Sequence, residues 1–167
     1  MARVFVSIGS NIDRVRNISL ALQQLGDEYG PLLQSPVFES AAVGFDSAPF
    51  YNLVVGFDTV LSPLEVQNHL HEIEAASGRE RTGELTARTL DLDLLLYDDL
   101  VIDRDRLKLP RADITRYAFV LYPLAEIAPD ARHPVSRARF ADMWAAFDDE
   151  QQVLTRVDWP PVACGAS

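Results

Sequence analysis

Apolar residues recur along the chain with two periods, two and about 3.6, and these divide it into strands and helices. Val4, Val6 and Ile8 share one side of a strand over 3–8, closed by Gly9-Ser10-Asn11. Ile18, Leu22 and Leu25 form one stripe of a helix over 15–25, with Gly26 just past its end and Asn11 or Asp13 in reach as a cap. Strands are expected over 33–39 and 51–59, around a loop that holds Gly44 and Pro49. Ser62-Pro63-Leu64-Glu65 is a capping box with Pro in the first turn. The helix it opens carries Val66, Leu70 and Ile73 inward and ends near Gly78. Residues 89–97 read as a strand, with 100–102 as a short partner. Pro110, Pro123, Pro129 and Pro134 then break the chain into loops and short helices. A helix over 140–147, burying Phe140, Met143, Trp144 and Phe147, and a strand over 153–159 complete the pattern.

The order β-α-β-β-α-β followed by a helix and a strand predicts an α+β sandwich, with helices packed on a mostly antiparallel sheet in a ferredoxin-like arrangement. With 167 residues and no internal repeat or linker, one domain over 1–160 and a short tail over 161–167 are expected. Hydrophobic residues make up 48% and charged residues 24%, ordinary for a soluble globular chain. The strongest apolar run, 92–97, contains Asp93 and is far too short to span a bilayer. No basic segment followed by an apolar run opens the sequence, and the one cysteine, Cys164, has no partner for an internal disulfide. A cytoplasmic protein with no membrane association is the expectation.

Charge narrows the function classes. Fifteen Lys+Arg against 25 Asp+Glu leave −10, a surface that repels nucleic acid at long range. It leaves open a small anionic ligand held by a local basic pocket or by metal ions. All the basic residues but Lys108 are Arg, the side chain suited to bidentate phosphate contacts.

The sharpest candidate chemistry is Arg88-Thr89-Leu90-Asp91-Leu92-Asp93-Leu94-Leu95. Strand alternation turns Leu90, Leu92, Leu94 and Leu96 to the core and puts Asp91 and Asp93 together on the opposite face, with Cα atoms about 6.5–7 Å apart. A half-buried strand with a solvated polar face accounts for alternation alone. Asp is depleted in strands, however, and two like charges on one face repel unless a cation sits between them. Hard oxygen ligands so placed suit Mg²⁺ with phosphate oxygens completing its shell. Arg79, Arg81 and Arg88 border an aperiodic stretch leading into this pair, either as a solvated charged loop or as a clamp over phosphates. Phe50 and Asn52 share one face of a strand, where a ring beside an amide suits a flat heterocycle, although a strand aromatic is more often core. Gly9-Ser10-Asn11 matches no phosphate-loop pattern and reads as a turn plus a cap. The histidines lack metal-ligand spacing, so zinc chemistry is not expected.

Several of these pieces occur together in one order: Gly9-Ser10-Asn11, Phe50-Tyr51-Asn52, Arg79, the block from Arg88 to Leu94, Phe119-Val120-Leu121-Tyr122-Pro123-Leu124-Ala125-Glu126-Ile127-Ala128-Pro129, and His133-Pro134. In this the chain resembles the 6-hydroxymethyl-7,8-dihydropterin pyrophosphokinases of folate biosynthesis, over nearly its whole length to about residue 160. The resemblance implies a ferredoxin-like fold and transfer of pyrophosphate from ATP to a reduced pterin, releasing AMP. It further implies two Mg²⁺ ions, small-molecule substrates and a monomer. By position, Asp91 and Asp93 would hold the metal. Arg79 and Arg88 would act on the phosphates, and Val43, Phe50, Asn52 and Phe119 would bind the pterin. His71, Glu74, Arg81, Leu94 and Arg111 would bind the nucleotide. The chain departs from the family pattern at Arg111, where the family usually has His, and at Tyr117, where it has Arg. Two alternatives stand beside the enzyme: a divergent pterin- or nucleotide-binding paralogue with low or altered activity, and a ferredoxin-like regulatory or oligomerising module in which Asp91 and Asp93 merely face solvent.

Overall fold

A computed structural model describes residues 1–41, 49–77, 90–150 and 152–161. Its chain order begins β1 (Ala2–Ser10), α1 (Arg14–Tyr29), β2 (Leu33–Gln34), β3 (Val37–Ser40), β4 (Phe50–Thr59), α2 (Pro63–Ala76) and β5 (Asp91–Tyr97). It continues with β6 (Ile102–Arg104), β7 (Leu107–Leu109), α3 (Asp113–Arg116), α4 (Ala118–Ile127), α5 (Phe140–Ala145) and β8 (Leu154–Val157). The main sheet runs β5-β1-β4-β3-β8, with β2 also on β4, and every pairing is antiparallel. Helix α1 links β1 to β3 across β4, and α2 links β4 to β5 across β1. Each crossover therefore joins parallel, non-adjacent strands, which is the ferredoxin-like α+β arrangement.

The two faces of this sheet carry separate cores. On one, Val4, Val6, Ile8, Leu53, Val55, Leu92 and Leu94 pack against Ile18 and Leu25 of α1 and Val66, Leu70 and Ile73 of α2. On the other, Phe5, Val54, Leu95 and Leu96 pack against Ile114, Val120, Leu121, Leu124 and Phe140 from α3, α4 and α5. The expected grouping of Leu96 with Leu92 and Leu94 is therefore corrected. The ladder between β1 and β5 shifts by one residue at Phe5/Val6, so Leu95 is an extra residue and the strand changes face there. Asp91 and Asp93, on the near side of the shift, keep the period-two alternation and share the second face.

Other departures from the sequence pattern have local causes. Helix α1 runs through Gly26 because Tyr29, one turn beyond Leu25, still finds buried surface, its ring stacked on Phe57 at 4.0 Å. Gly30 takes the positive φ of 81° at the end of the helix, and its N–H donates to the Gly26 carbonyl. Asp13 stands at the N-cap without a side-chain cap bond. The capping box at Ser62 and Glu65 forms in full. Pro36 follows the short β2 and separates it from β3, so the strand expected over 33–39 is two. Residues after β5 do not pair back on it. Asp98, at φ 49°, donates its backbone N–H to the Arg3 carbonyl and accepts the Arg3 N–H on its side-chain Oδ1, and β6 pairs with β7 instead. Pro123 lies inside α4 rather than ending a helix, held there by the burial of Val120, Leu121 and Leu124. Met143, Trp144 and Phe147 are only partly buried, and α5 stops at Ala145. Among the described residues no helix is long and apolar enough to cross a membrane.

Candidate active site

Pairing across the sheet decides what the second face presents at the β5 end. Gly9 lies between Asp91 on β5 and Asn52 on β4, and Asn52 lies opposite Phe38 on β3. Directly paired residues of an antiparallel ladder point the same way, so Asp91, Asn52 and Phe38 form one row interrupted only by a glycine. The next row sets Asp93 beside Ser7 and Val54. Residues 9 and 10 thus continue β1 to Ser10, which corrects the expectation of a turn at Gly9-Ser10-Asn11: the β4 ladder extends through the Ser10–Tyr51 pair. Glycine at position 9 has a spatial reason as well. A Cβ there would sit 3.0 Å from Asn52 Oδ1 and 3.8 Å from the Phe50 ring, crowding the amide that the row presents.

Asn52 is buried, and its Nδ2 donates to Ser40 Oγ at 2.7 Å, which fixes the orientation of the amide. Ser40 is paired with Phe50 in the β3–β4 ladder, so it supports both residues of the Phe50/Asn52 couple. Sequence spacing carries no signal for Ser40, since its partner is twelve residues away. Phe119 lies in the first turn of α4, partly buried over the same face, with Tyr117 stacked on it at 4.9 Å.

The carboxylates have a cation beside them. Arg111 Nη2 lies 3.5 Å from Asp93 Oδ1 and its Nε lies 3.2 Å from Asp113 Oδ2. The Arg111 backbone N–H donates to the Leu95 carbonyl at 3.0 Å, which ties this segment to β5 next to the bulge. From the other side of the strand, Glu74 of α2 accepts the Leu92 N–H at 2.8 Å. Leu92 sits between the two aspartates, so a buried carboxylate braces the backbone that aims them. The Leu94 side chain is buried in the α1/α2 core, and His71 is exposed on α2. Val43, Arg79, Arg81 and Arg88 lie outside the described residues.

Asp91 and Asp93 fit a hard divalent cation by donor chemistry: oxygen ligands only, on one face. Among the described residues no third carboxylate, imidazole or thiolate joins them, which leaves most of a coordination shell for phosphate oxygens and water. The arrangement as a whole offers a carboxylate pair, an oriented amide and aromatic rings along one end of a sheet face. That combination suits an anionic metal-bound group next to a flat polar heterocycle.

Comparison with known proteins identifies a family. The family model described as 7,8-dihydro-6-hydroxymethylpterin-pyrophosphokinase (HPPK) matches residues 5–129. The 2-amino-4-hydroxy-6-hydroxymethyldihydropteridine pyrophosphokinase of Pseudomonas aeruginosa is 41% identical over 139 residues, covering 81% of this chain and 86% of the relative. The Aquifex aeolicus protein of the same name is 36% identical over 139 residues, covering 82% and 87%. Among solved structures, Plasmodium falciparum HPPK-DHPS (the S436F/A437G/A613S triple mutant with SDX-DHP) superposes with a TM-score of 0.69 at 15% identity. That match covers 86% of this chain and 41% of the Plasmodium chain, and it speaks to fold alone. Motif order, sheet topology and these relatives agree, and the chain belongs to the 7,8-dihydro-6-hydroxymethylpterin-pyrophosphokinase family.

Proposed function

We propose that the Asp91/Asn52 end of the second sheet face is where this chain transfers pyrophosphate from ATP to 6-hydroxymethyl-7,8-dihydropterin, releasing AMP, the activity of its family in folate biosynthesis. The observation that carries the assignment to this end is the row Asp91–Gly9–Asn52, which sets a carboxylate and a fixed amide on one face across a residue with no side chain. In the reaction the pterin hydroxymethyl oxygen bonds to the β-phosphorus of ATP, the bond from that phosphorus to the α,β-bridging oxygen breaks, and AMP leaves as the hydroxyl proton is lost.

Each residue then takes the role that the family resemblance gives its position. Asn52, its Nδ2 engaged by Ser40, directs Oδ1 toward the pterin, with Phe50 and Phe119 stacking on the ring. Val43 completes the pterin side. Asp91 and Asp93 would hold Mg²⁺, two ions in our reading, and the bound metal would supply positive charge to the triphosphate. Arg111, already beside Asp93, reaches the nucleotide phosphates from the α3 side and stands in for the family's His. Arg79, Arg81 and Arg88 would contact the phosphates, and His71 would serve the nucleotide side; Glu74, buried on the Leu92 N–H, and Leu94, with its side chain in the α1/α2 core, would serve it through the β5 backbone. Catalysis is then positioning and electrostatic stabilisation, with no covalent intermediate. An enzyme that binds neither nucleic acid nor an anionic membrane fits the charge of −10, and we read it as a cytoplasmic monomer.

The relatives named as pyrophosphokinases favour the enzyme over a divergent binding paralogue with low or altered activity. The deciding assay follows AMP from ATP and Mg²⁺ with and without the hydroxymethyl pterin. AMP that appears only with the pterin supports the proposal, and release independent of the pterin refutes it.

A further inference from the structure

Arg14, the first residue of α1, lies on the α1/α2 side of the sheet, opposite the face that presents Phe50 and Asn52. Its one guanidinium makes three contacts. Nη1 lies 2.9 Å from Glu39 Oε2 on β3 and also donates to the Pro49 carbonyl at 3.2 Å, and Cζ stands 3.8 Å from the centre of the Tyr51 ring. Glu39 and Tyr51 are themselves paired across the β3–β4 ladder. The group therefore holds β3 near its end and both neighbours of Phe50 in the chain. A planar fork with a delocalised charge is the side chain that can bond a carboxylate and a carbonyl while lying on a ring.

Residues 50 and 52 flank Tyr51, and strand alternation sends their side chains through to the other face. Fixing Pro49, Tyr51 and Glu39 from behind sets the twist of β4 where it presents the stacking ring and the amide. Arg14 and Glu39 side chains are 29% and 38% exposed, so the cluster lies at the sheet margin and not in the core. A loss there loosens the local strand without emptying a cavity.

We propose that Arg14 is a positioning residue for pterin recognition, acting through Glu39, Pro49 and Tyr51 on Phe50 and Asn52. This rests on the reading of Phe50 and Asn52 as the pterin site. Arg14 itself touches neither substrate, and its effect belongs to the pterin side alone, because the carboxylate pair on β5 is two strands away.

The test compares the full-length protein with Arg14→Ala, Arg14→Lys, Glu39→Gln and Asn52→Ala. The readouts are pterin affinity by calorimetry with a non-hydrolysable ATP analogue, and separate KM values for pterin and ATP. Arg14→Ala is expected to weaken pterin binding about tenfold, as misplacement of a positioning group does, and to leave the ATP KM within about twofold. Arg14→Lys keeps the charge toward Glu39 without the fork and falls between that variant and the unmodified protein. Glu39→Gln, which removes only the carboxylate charge, weakens pterin binding about threefold and carries the test if Arg14→Ala does not fold. Pterin affinity unchanged in Arg14→Ala and Glu39→Gln but lowered in Asn52→Ala overturns the role of Arg14 and leaves the site in place. Equal loss of pterin and ATP affinity in Arg14→Ala also overturns it, as general loosening. Pterin affinity unchanged in Asn52→Ala overturns the site reading itself, and with it the proposal.

Discussion

The two faces of the sheet are built from the same six strands and differ in almost every other respect. The α1/α2 face is covered by two long helices whose apolar stripes recur at helical spacing, and one of them opens with a complete capping box. The opposite face is covered by α3, α4 and α5, of four, ten and six residues, and at one end it presents Asp91, Asp93, Asn52 and Phe50. Continuous burial on one side supplies stability. The other side leaves polar groups in fixed positions on a backbone that the first side already holds rigid. The contrast teaches that the strand segments presenting these polar groups are contacted from behind by side chains of the helical face. Glu74 on Leu92 and Arg14 on Tyr51 both act from the α1/α2 side.

The largest test of this division removes the carboxylates. Asp91→Asn with Asp93→Asn should lower turnover roughly 10³-fold, the scale of losing transition-state charge stabilisation, with a melting temperature no lower than the unmodified protein's. A double variant as active as the parent would return the pair to a solvated strand face. Next in size, Leu70→Ala on the opposite face should cost about 3 kcal/mol of stability by leaving a cavity in a fully buried stripe. Denaturant titration measures that loss, and KM values taken well below the melting temperature should stay near the parent's.

Glu74→Ala breaks the division on purpose, because this residue belongs to one face and braces the other. Removing the acceptor of a buried N–H should cost about 2 kcal/mol. It should also raise the Mg²⁺ concentration needed for half-maximal rate, as the Leu92 backbone no longer holds the aspartates. A stability loss with unchanged Mg²⁺ dependence would confine Glu74 to the fold.

The smallest effect is expected at His133, behind α5. Burial lowers its pKa below the ordinary 6.5, and its Nδ1 accepts the Val135 and Ser136 N–H groups at 3.2 and 3.3 Å. The unfolded chain therefore takes up a proton before the folded one does. This contribution to stability is present above pH 6.5 and is lost as pH falls through the lower folded value. His133→Asn, which keeps an acceptor but cannot titrate, should flatten the melting temperature between pH 7 and 5. A slope equal to the parent's would place the titrating group elsewhere.

Much of this was legible from residue order because it depends on local physics. The period of two at Val4, Val6 and Ile8, the stripe at Val66, Leu70 and Ile73, and the Ser62–Glu65 box all act within a turn or a strand. The shared face of Asp91 and Asp93 followed from alternation alone. Leu96 departs from the alternation because a bulge depends on the partner strand, and nothing in 91–97 by itself announces the shift at Phe5/Val6. The end of α1 was misplaced because Gly26 is a stop signal only where no buried surface lies beyond it, and Phe57 provides that surface to Tyr29.

The sequence by itself determined the two periodicities, the element order that makes a ferredoxin-like sheet, and the identity of the carboxylate pair. These are encoded in residues a few positions apart, where chain geometry leaves few choices. Only the tertiary structure decided that Gly9 makes room for Asn52, that Ser40 orients that amide, that Arg111 lies beside Asp93, that Arg14 reaches Glu39 and Pro49, and that Glu74 accepts the Leu92 N–H. Those contacts join elements brought together by sheet pairing and crossover, and pairing is settled by the burial of both faces at once.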